Sequence, residues 1–287
     1  KDGIAKISLP TPFPVGDVNV YVIKGDRLTL VDVGPKTEEA WMKLRTELKD
    51  LKLKPEDIEQ VVLTHHHPDH AGLLDYFPKN LDVYAHPDNE RWLSMEVLDE
   101  QEDFYKKIMV EFDLPEKFFP FLKSFTSGIK YGCHRPLTGY LHEKDVPLGL
   151  PEWTVIETHG HAQGHIGLYR EKDGIYIGGD HLLAHISSNP TLEPPLPGKT
   201  ERPKPQLQYN EALRKLLEIP MSLVYTGHGT EIKEKDRLIH KRLNEQHERA
   251  MKVKKWLEDK TLTIFEACRL LFPTVYKTQL GLVLSET

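Results

Sequence analysis

Short runs of aliphatic and β-branched residues alternate along this chain with segments whose apolar residues recur at helical spacing. The pattern predicts an amphipathic helix from Thr37 to Leu51, with Glu38 and Glu39 in its first turn. Further helices are predicted at 209–217 and 231–257. Strands are predicted at 4–9, 18–24, 27–33, 61–64, 81–85, 153–157, 174–178 and 222–226. This alternation predicts a layered α/β fold with helices outside the sheets.

The segment from residue 88 to residue 148 has a different pattern, in which aromatic and apolar residues crowd together. Its members are Trp92, Met95, Leu98, Phe104, Tyr105, Ile108, Met109, Phe112, Phe118, Phe119, Phe121, Leu122 and Phe125. We expect helices with an unusually aromatic face here. Core packing, substrate contact and a contact between two copies of the chain are all open for this face.

Four potential metal ligands lie close together between Val61 and Gly72, directly after a predicted buried strand. They are His65, His67, Asp69 and His70. Alternate residues of an extended segment point the same way, so the first two histidines can face one metal ion. The turn that follows directs the other two ligands toward a second position. Pro68 excludes a helix carrying the other common zinc pattern, His-Glu-x-x-His.

These residues resemble the His-x-His-x-Asp-His signature of the metallo-β-lactamase superfamily, and later segments match its other motifs in order. Thr158-His-Gly-His161 resembles the segment that completes the first metal site, which favours His161 over His159 or His165. Ile177-Gly-Gly-Asp180 resembles the strand end whose aspartate bridges both metals. Val224-Tyr-Thr-Gly-His228 resembles the last strand end, whose histidine completes the second site.

The resemblance implies a ligand set for two divalent metal ions. The first ion would be held by His65, His67 and His161, the second by Asp69, His70 and His228, and both by Asp180. It further implies that Asp32, at a strand end, orients a metal-bound histidine. Zinc is the expected metal, with iron, manganese or cobalt as alternatives, because nitrogen and carboxylate ligands accept all of them.

The resemblance also implies the architecture. We expect a four-layer αββα metallo-β-lactamase sandwich at residues 1–240, with a helical insertion at about 88–148 that would form a lid or pocket wall beside the metals. Residues 241–287 are expected to form a small helical C-terminal extension that resembles the tail of the LACTB-like branch of the family.

Composition adds little to this picture. The chain has 287 residues with a formal net charge of −6, which gives no overall attraction to nucleic acid. No apolar run approaches the roughly 20 residues of a membrane helix. Two cysteines, Cys133 and Cys268, are too few for a disulfide framework, so a reducing, cytoplasmic location is expected. Because the chain begins at Lys1 without methionine, we expect trimmed ends, and a removed targeting segment stays open.

The implied chemistry is hydrolysis by a metal-bridging hydroxide, because zinc lowers the pKa of water from about 15.7 to about 7. Asp69 is the candidate catalytic residue, which would orient the nucleophile and pass a proton to the leaving group. β-Lactamases of the family lack the bridging Asp180, and diiron flavoproteins place a glutamate at the position of His67. The family's quorum lactonases place a tyrosine where this chain has Leu183. A small ester, thioester or lactone is the expected substrate.

Two other functions remain open. The stretch from Lys233 to Lys255 holds nine Lys or Arg against four Asp or Glu. With the tail, it favours a metal-dependent phosphodiesterase or ribonuclease as the first alternative. A mononuclear iron persulfide dioxygenase, the second, would use only His65, His161 and Asp180. The expected partner is a small-molecule substrate and no membrane, with nucleic acid as an alternative and a homodimer left open.

Several other polar residues are candidates for contact with a substrate or with a metal ligand. They are His86, Lys130, Tyr131, His134, Arg135, His181 and His185. Ordinary roles in turns, loops and solvated surfaces compete with this interpretation for each of them.

Overall fold

The computed structural model describes residues 3–121 and 128–287, and their strands form two sheets. The first sheet contains, in spatial order, β1 (Ile4–Leu9), β2 (Val18–Lys24), β3 (Leu28–Val31), β4 (Gln60–Val62), β5 (Asp82–Ala85) and β6 (Gly139–Tyr140). The second contains β7 (Thr154–Glu157), β8 (Ile166–Arg170), β9 (Ile175–Ile177) and β10 (Leu223–Tyr225). Strands β3 to β6 run parallel, as do β9 and β10, and the other neighbours are antiparallel.

The helices surround these sheets. They are α1 (Glu38–Asp50), α2 (Pro68–Ala71), α3 (Glu90–Leu93), α4 (Leu98–Glu111), α5 (Pro205–Leu217), α6 (Lys235–Asp259), α7 (Ile264–Leu271) and α8 (Leu280–Ser285). Short 3₁₀ turns lie at Pro55–Asp57, Gly72–Tyr76, Pro87–Asn89, Glu116–Phe121, Gly128–Tyr131 and Val275–Lys277. Across the described ranges, no helix combines the length and apolar character that a membrane span requires.

Each sheet buries both of its faces, which produces three apolar layers. The layer between the sheets includes Tyr21, Ile23, Val31, Val62, Val155, Ile166, Leu168 and Ile177. The layer between the first sheet and α1 includes Val20, Val22, Leu30, Leu44, Leu48, Val61 and Val83. The layer between the second sheet and helices α5 and α6 includes Ile156, Tyr176, Tyr209, Leu213, Leu216, Val224 and Ile239. The predicted αββα sandwich is therefore confirmed.

Part of the insertion, Trp92 of α3, stacks on His66 in the metal loop, so the lid or pocket wall stays a prediction, whereas the aromatic face of α4 is core. It packs against the C-terminal helices in one apolar cluster. The insertion contributes Phe104, Tyr105, Ile108, Met109, Phe112, Leu114 and Phe118, and the tail contributes Phe265, Cys268, Leu280, Val283 and Leu284. The homodimer stays a prediction. Leu122 and Phe125 lie outside the described residues, and so does the side chain of Phe121.

Other local predictions require adjustment. No strand is predicted at β8, and α5 begins at Pro205, four residues before its predicted start. The insertion also supplies β6, which pairs with β5 at the edge of the first sheet. The predicted domain boundary at residue 240 falls inside α6. The division into 1–240 and 241–287 therefore stays a prediction.

The two sheets are joined at the end where the metal loop lies. Val18, at the start of β2, forms an isolated antiparallel bridge with His228, just after β10. The backbone N–H of Ile166 donates to the carbonyl of Thr64 at 2.8 Å, which connects the second sheet to the loop after β4. Side chains that follow strands of both sheets are thereby brought to one place.

Candidate metal centre

The loop after β4 presents its ligands in two geometries. His65 and His67 precede α2, and His67, with φ of −57° and ψ of 147°, is its N-cap. Pro68 occupies the first position of α2, where a missing N–H costs nothing. Asp69 and His70 follow within this single turn, so their side chains point to a different place from the first two.

The first group of ligands is a triangle of ring nitrogens. The Nδ1 atom of His67 lies 3.0 Å from Nε2 of His65 and 3.0 Å from Nε2 of His161. Tetrahedral coordination with Zn–N bonds of about 2.05 Å would separate two nitrogens by roughly 3.3 Å. The triangle is therefore the size that one zinc ion requires after a small expansion.

The second group consists of Asp69, His70 and His228, whose ligand atoms lie within 4.8 Å of one another. Asp180 stands between the groups. Its Oδ1 lies 3.4 Å from Nε2 of His70, and its Oδ2 lies 3.4 Å from Nε2 of His228 and 3.7 Å from Nε2 of His161. One carboxylate thus faces both sets, and the structure brings all seven predicted ligands together.

The buried carboxylate of Asp32 orients His70 directly and His65 through the hydroxyl of Thr64. The Thr64 hydroxyl donates to Oδ2 of Asp32 at 2.8 Å, so its oxygen is free to accept from Nδ1–H of His65 at 2.9 Å. His70 donates its own Nδ1–H to Oδ2 of Asp32, also at 2.8 Å. In both rings the proton is on Nδ1, which leaves a lone pair on Nε2 directed into the site. The predicted contact between Asp32 and a site histidine is confirmed.

Two backbone carbonyls orient the other Nε2 ligands in the same way. His161 donates Nδ1–H to the carbonyl of Asn189 at 2.9 Å, and His228 donates to the carbonyl of Asp17 at 2.8 Å. A carbonyl can only accept, so the tautomer of each ring is determined. In their neutral forms, the four imidazoles therefore direct unprotonated Nε2 atoms at one small volume.

Several atoms in this volume are buried without a hydrogen-bond partner. They are Nε2 of His70, Nε2 of His228 and Oδ1 of Asp180. Buried polar atoms are rarely left unpaired, and a cation would satisfy all three at once. Gly227 makes room for this arrangement, because a Cβ there would overlap with Oδ1 of Asp180 and lie 2.9 Å from Cε1 of His70. The donor set fits two divalent metal ions.

The pKa values of the site histidines fall into two groups. Burial, reinforced by the neighbouring imidazoles, holds the pKa of His65 and of His67 well below the usual range. Burial also lowers the pKa of His228, but the carboxylates, Asp180 foremost, outweigh it and raise that pKa to about 10. The pKa of His70 is raised in the same sense, against burial. Burial raises the pKa of Asp180, yet His228 and His70 hold it well below its ordinary value.

Three further residues lie around the site: the sequence gives Asn89 no role, considers His165 only as an alternative ligand and places Trp92 in the insertion. Asn89, fully buried, donates from Nδ2 to the carbonyl of Gly164 at 2.8 Å and pairs through Oδ1 with Nδ1 of His66 at 3.3 Å. It therefore connects the two loops that carry the first group of ligands. Trp92 stacks on the ring of His66 at 4.3 Å. His165 accepts from the backbone N–H of Asp180 at 3.2 Å, which supports the bridging carboxylate.

The remaining candidates lie outside the two ligand groups. His181 is fully buried against the ring of Tyr209 at 4.8 Å, and burial lowers its pKa to about 3. The guanidinium of Arg135 is structural: it donates to the carbonyls of Leu74, Phe77, Pro78 and Leu81. His185 pairs with Thr230 at 3.2 Å. His86 lies in a separate cluster, described below.

Comparison with known proteins identifies the family. The model of the Metallo-beta-lactamase superfamily matches residues 13–228. YqjP, a probable metallo-hydrolase of Bacillus subtilis (strain 168), is 43% identical over 288 residues, covering 100% of this chain and 90% of that protein. A hydroxyacylglutathione hydrolase of Chelativorans sp. (strain BNC1) is 38% identical over 84 residues, covering 29% of each protein. A metallo-beta-lactamase family protein from Thermus thermophilus superposes with a TM-score of 0.81 at 24% identity, covering 99% of this chain and 91% of that one.

The chain belongs to the metallo-beta-lactamase superfamily, because the family model covers most of its length and a relative is similar throughout. It is a metal-dependent hydrolase of that superfamily, with a cluster of buried His and Asp residues that can hold metal.

Proposed function

We propose that the protein is a binuclear zinc hydrolase that cleaves a small ester, thioester or lactone. The observation that carries this proposal is the position of the Asp180 carboxylate, whose two oxygens face different ligand groups at 3.4 to 3.7 Å. A mononuclear site would have no use for the buried second group of Asp69, His70 and His228. Zinc suits the nitrogen-rich first group, and the second accepts zinc, iron or manganese.

The first ligand group has the role of holding a metal ion. His65, His67 and His161 would hold the first ion, and in His65 and His161 the bond made by Nδ1 already directs the Nε2 lone pair into the site. When bound, the two ions supply Lewis acidity, which makes a nucleophile from water near pH 7 and polarises the scissile carbonyl. The ligands are largely buried, so charges in the site are screened less than they would be in water.

Asp69 moves the proton in this proposal. Its Oδ2 lies 3.2 Å from Nε2 of His228, and its side chain is 12% exposed, more than those of Asp180 and His70. It can therefore orient the attacking water from the open side of the site. Asp69 then accepts a proton from this water as the water oxygen attacks the carbonyl carbon. It donates the proton to the leaving group as the bond between that carbon and the leaving group breaks.

The substrate class rests on independent support. The relative from Chelativorans is by name a hydrolase of an acylglutathione, which is a thioester. The net charge of −6 argues against a polyanionic substrate.

The finer expectation of a cytoplasmic location stays a prediction, with which the buried free thiols of Cys133 and Cys268 agree.

One observation favours phosphodiester hydrolysis as a second candidate. Helix α6 buries few of its residues, namely Lys235, Ile239 and Gln246, so most of its basic side chains face solvent. Exposed cations can contact phosphates, and such binding weakens as the salt concentration rises, because counterion release then gains less free energy.

The experiment is a substrate panel on zinc-loaded protein: a thioester, a lactone, an ester, a phosphodiester and an RNA oligomer at two salt concentrations. Asp69→Asn serves as the matched variant, measured at saturating zinc, and we expect a loss of about 10²- to 10⁴-fold in kcat. Turnover of a carbonyl substrate that depends on Asp69 supports the proposal. Turnover of only the phosphodiester or RNA, falling steeply with salt, would replace it with the second candidate.

A further inference from the structure

A second group of histidines, separate from the two ligand groups although His159 is two residues from His161, lies where β5 and β7 end. We infer that His86, Glu157 and His159, with His142 at the margin, form a further binding site for one divalent transition metal ion. His86 follows β5 of the first sheet, and Glu157 is the last residue of β7 of the second. The ligand atoms of His86, Glu157 and His159 lie within 4.8 Å of one another.

The carboxylate of Glu157 is the centre of this group. Its Oε1 lies 3.3 Å from Nε2 of His86, and its Oε2 lies 3.2 Å from Nε2 of His159. Nδ1 of His142 lies 3.8 Å from Oε1. The backbone N–H of Glu143 donates to Oε1 at 3.0 Å, which fixes the carboxylate in position. Two imidazoles and a carboxylate are the ligand types of many zinc sites.

In its neutral form, His159 presents a lone pair to the carboxylate of Glu157, where one cation can bind both. Its Nδ1 pairs with the carbonyl of Gln163, which can only accept, so Nδ1 carries the proton. Its Nε2 then has a lone pair, and that lone pair faces the acceptor oxygen of Glu157. Two lone pairs repel at this distance unless a proton or a metal ion lies between them. A metal ion would bind both atoms at once.

His86 can adapt to such an ion. Its Nδ1 accepts from the backbone N–H of Asp88 at 3.2 Å, so the proton is on Nε2 and points to Glu157. Coordination through Nε2 moves that proton to Nδ1. The carboxylate of Asp88, 3.6 Å from Nδ1, is placed to accept it after a small side-chain rotation. This is the carboxylate–histidine–metal arrangement found around many metal ligands.

The exposure of the group suits an exchangeable ion. The side chain of His86 is 9% exposed, whereas those of Glu157 and His159 are 21% and 31% exposed. Solvent therefore reaches the ligands from one side. Three protein ligands with an open side leave room for water or for His142, whose side chain is 58% exposed.

The test is a titration of the purified full-length protein, with its resident metals in place, by Co²⁺. Bound cobalt is measured by elemental analysis after gel filtration and by visible absorption, and the resident metals are measured in the same samples. We expect one additional equivalent of cobalt per chain, whatever the resident content is. Absence of an additional equivalent in the unmodified protein overturns the inference.

Three variants identify the ligands. Glu157→Gln keeps the acceptor for the backbone of Glu143 and should abolish the additional equivalent, while the resident metal content is unchanged. Asp88→Asn should weaken cobalt binding by about 10- to 100-fold, because it removes the acceptor for the His86 proton. His240→Ala, on the exposed side of α6, is the control and should bind as the unmodified protein does. Equal binding by Glu157→Gln and the unmodified protein would refute the site, and a well-folded Asp88→Asn with full affinity would refute the proton transfer to Asp88.

Discussion

Asp32 and His70 form a buried carboxylate–imidazole pair, in which Oδ2 of Asp32 lies 2.8 Å from Nδ1 of His70. The same carboxylate accepts from both the N–H and the hydroxyl of Thr64, at 2.7 and 2.8 Å. Asp32 adopts a left-handed backbone conformation with φ of 57°, which few residues other than glycine tolerate, and aspartate is one of them. A strained position is thus occupied by the residue whose side chain orients a ligand.

Replacing Asp32 by alanine should weaken metal binding in the second ligand group. Without its acceptor, the His70 ring is free to rotate or change tautomer, and losses of this kind are typically about 10- to 100-fold in metal affinity. Competition with a chelator, followed by elemental analysis, measures the effect. Asp26→Ala, at an exposed position, is the matched control. Unchanged affinity in Asp32→Ala would show that His70 is oriented by other contacts.

Gly227→Ala should displace the bridging carboxylate. The new Cβ would overlap with Oδ1 of Asp180, and the backbone cannot retreat because its N–H and carbonyl are both engaged, with Gly179 and Asn19, at 2.6 Å. We expect loss of at least one metal equivalent, and a decrease of about 1 to 3 kcal/mol in the free energy of unfolding.

The control for this substitution is Gly229→Ala. It introduces a side chain at a left-handed φ of 73° with no atom within 4 Å. Its metal content should therefore remain that of the unmodified protein, even though the backbone is strained. Equal metal contents in the two variants would contradict the steric argument.

Metal binding to the metal-free protein should release protons. His70 and His228 have raised pKa values, that of His228 about 10, so both are protonated near neutral pH when only carboxylates face them. Each must lose its proton to coordinate a metal. Zinc titrations by calorimetry in buffers of different ionisation enthalpy should give a release of about two protons per chain. Release near zero would mean that the two rings are neutral before metal arrives.

Glu193 should make stability fall as pH rises. Burial raises its pKa to about 8 from an ordinary value of 4.5, and its one described hydrogen bond is from the backbone N–H of Gln163 at 2.9 Å. A raised folded-state pKa stabilises the protein below pH 4.5, and this contribution is lost as pH rises toward 8. The free energy of unfolding changes through this one group by at most about 1.4 kcal/mol per pH unit.

Glu193→Gln removes this slope, because glutamine keeps the acceptor and never ionises. Urea unfolding of metal-saturated protein should give similar stabilities at about pH 5 and a more stable variant at about pH 8.5. Glu201→Gln, at an exposed position, is the control. Parallel stability profiles for Glu193→Gln and the unmodified protein would contradict a buried neutral Glu193.

The sequence predicts the parts of this molecule whose signals are local. The strands before His65 and His228 are recognisable from their β-branched runs, and α1 from the helical spacing of its apolar residues. The spacing of the ligands in the metal loop predicts two groups, because the segment before α2 and the single turn of α2 direct their side chains differently.

The missed features depend on residues far apart in the chain. Strand β8 contains Gly167, which weakens the strand pattern, and its pairing with β7 and β9 on both sides stabilises it. The aromatic face of α4 is apolar whether it covers a substrate or a helix, and its partner Phe265 lies more than 150 positions later. Asn89 has no distinguishing pattern, since its role exists only when the loops containing His66 and Gly164 are adjacent.

The most direct test of the binuclear proposal is elemental analysis of the purified protein together with Asp180→Ala and His181→Ala. Asp180 faces both ligand groups, whereas its neighbour His181 is buried outside them. We expect about two zinc ions per chain in the unmodified protein and in His181→Ala, and loss of both metal and thioester hydrolysis in Asp180→Ala. A single metal ion per chain, or full metal content in Asp180→Ala, would contradict the proposed centre.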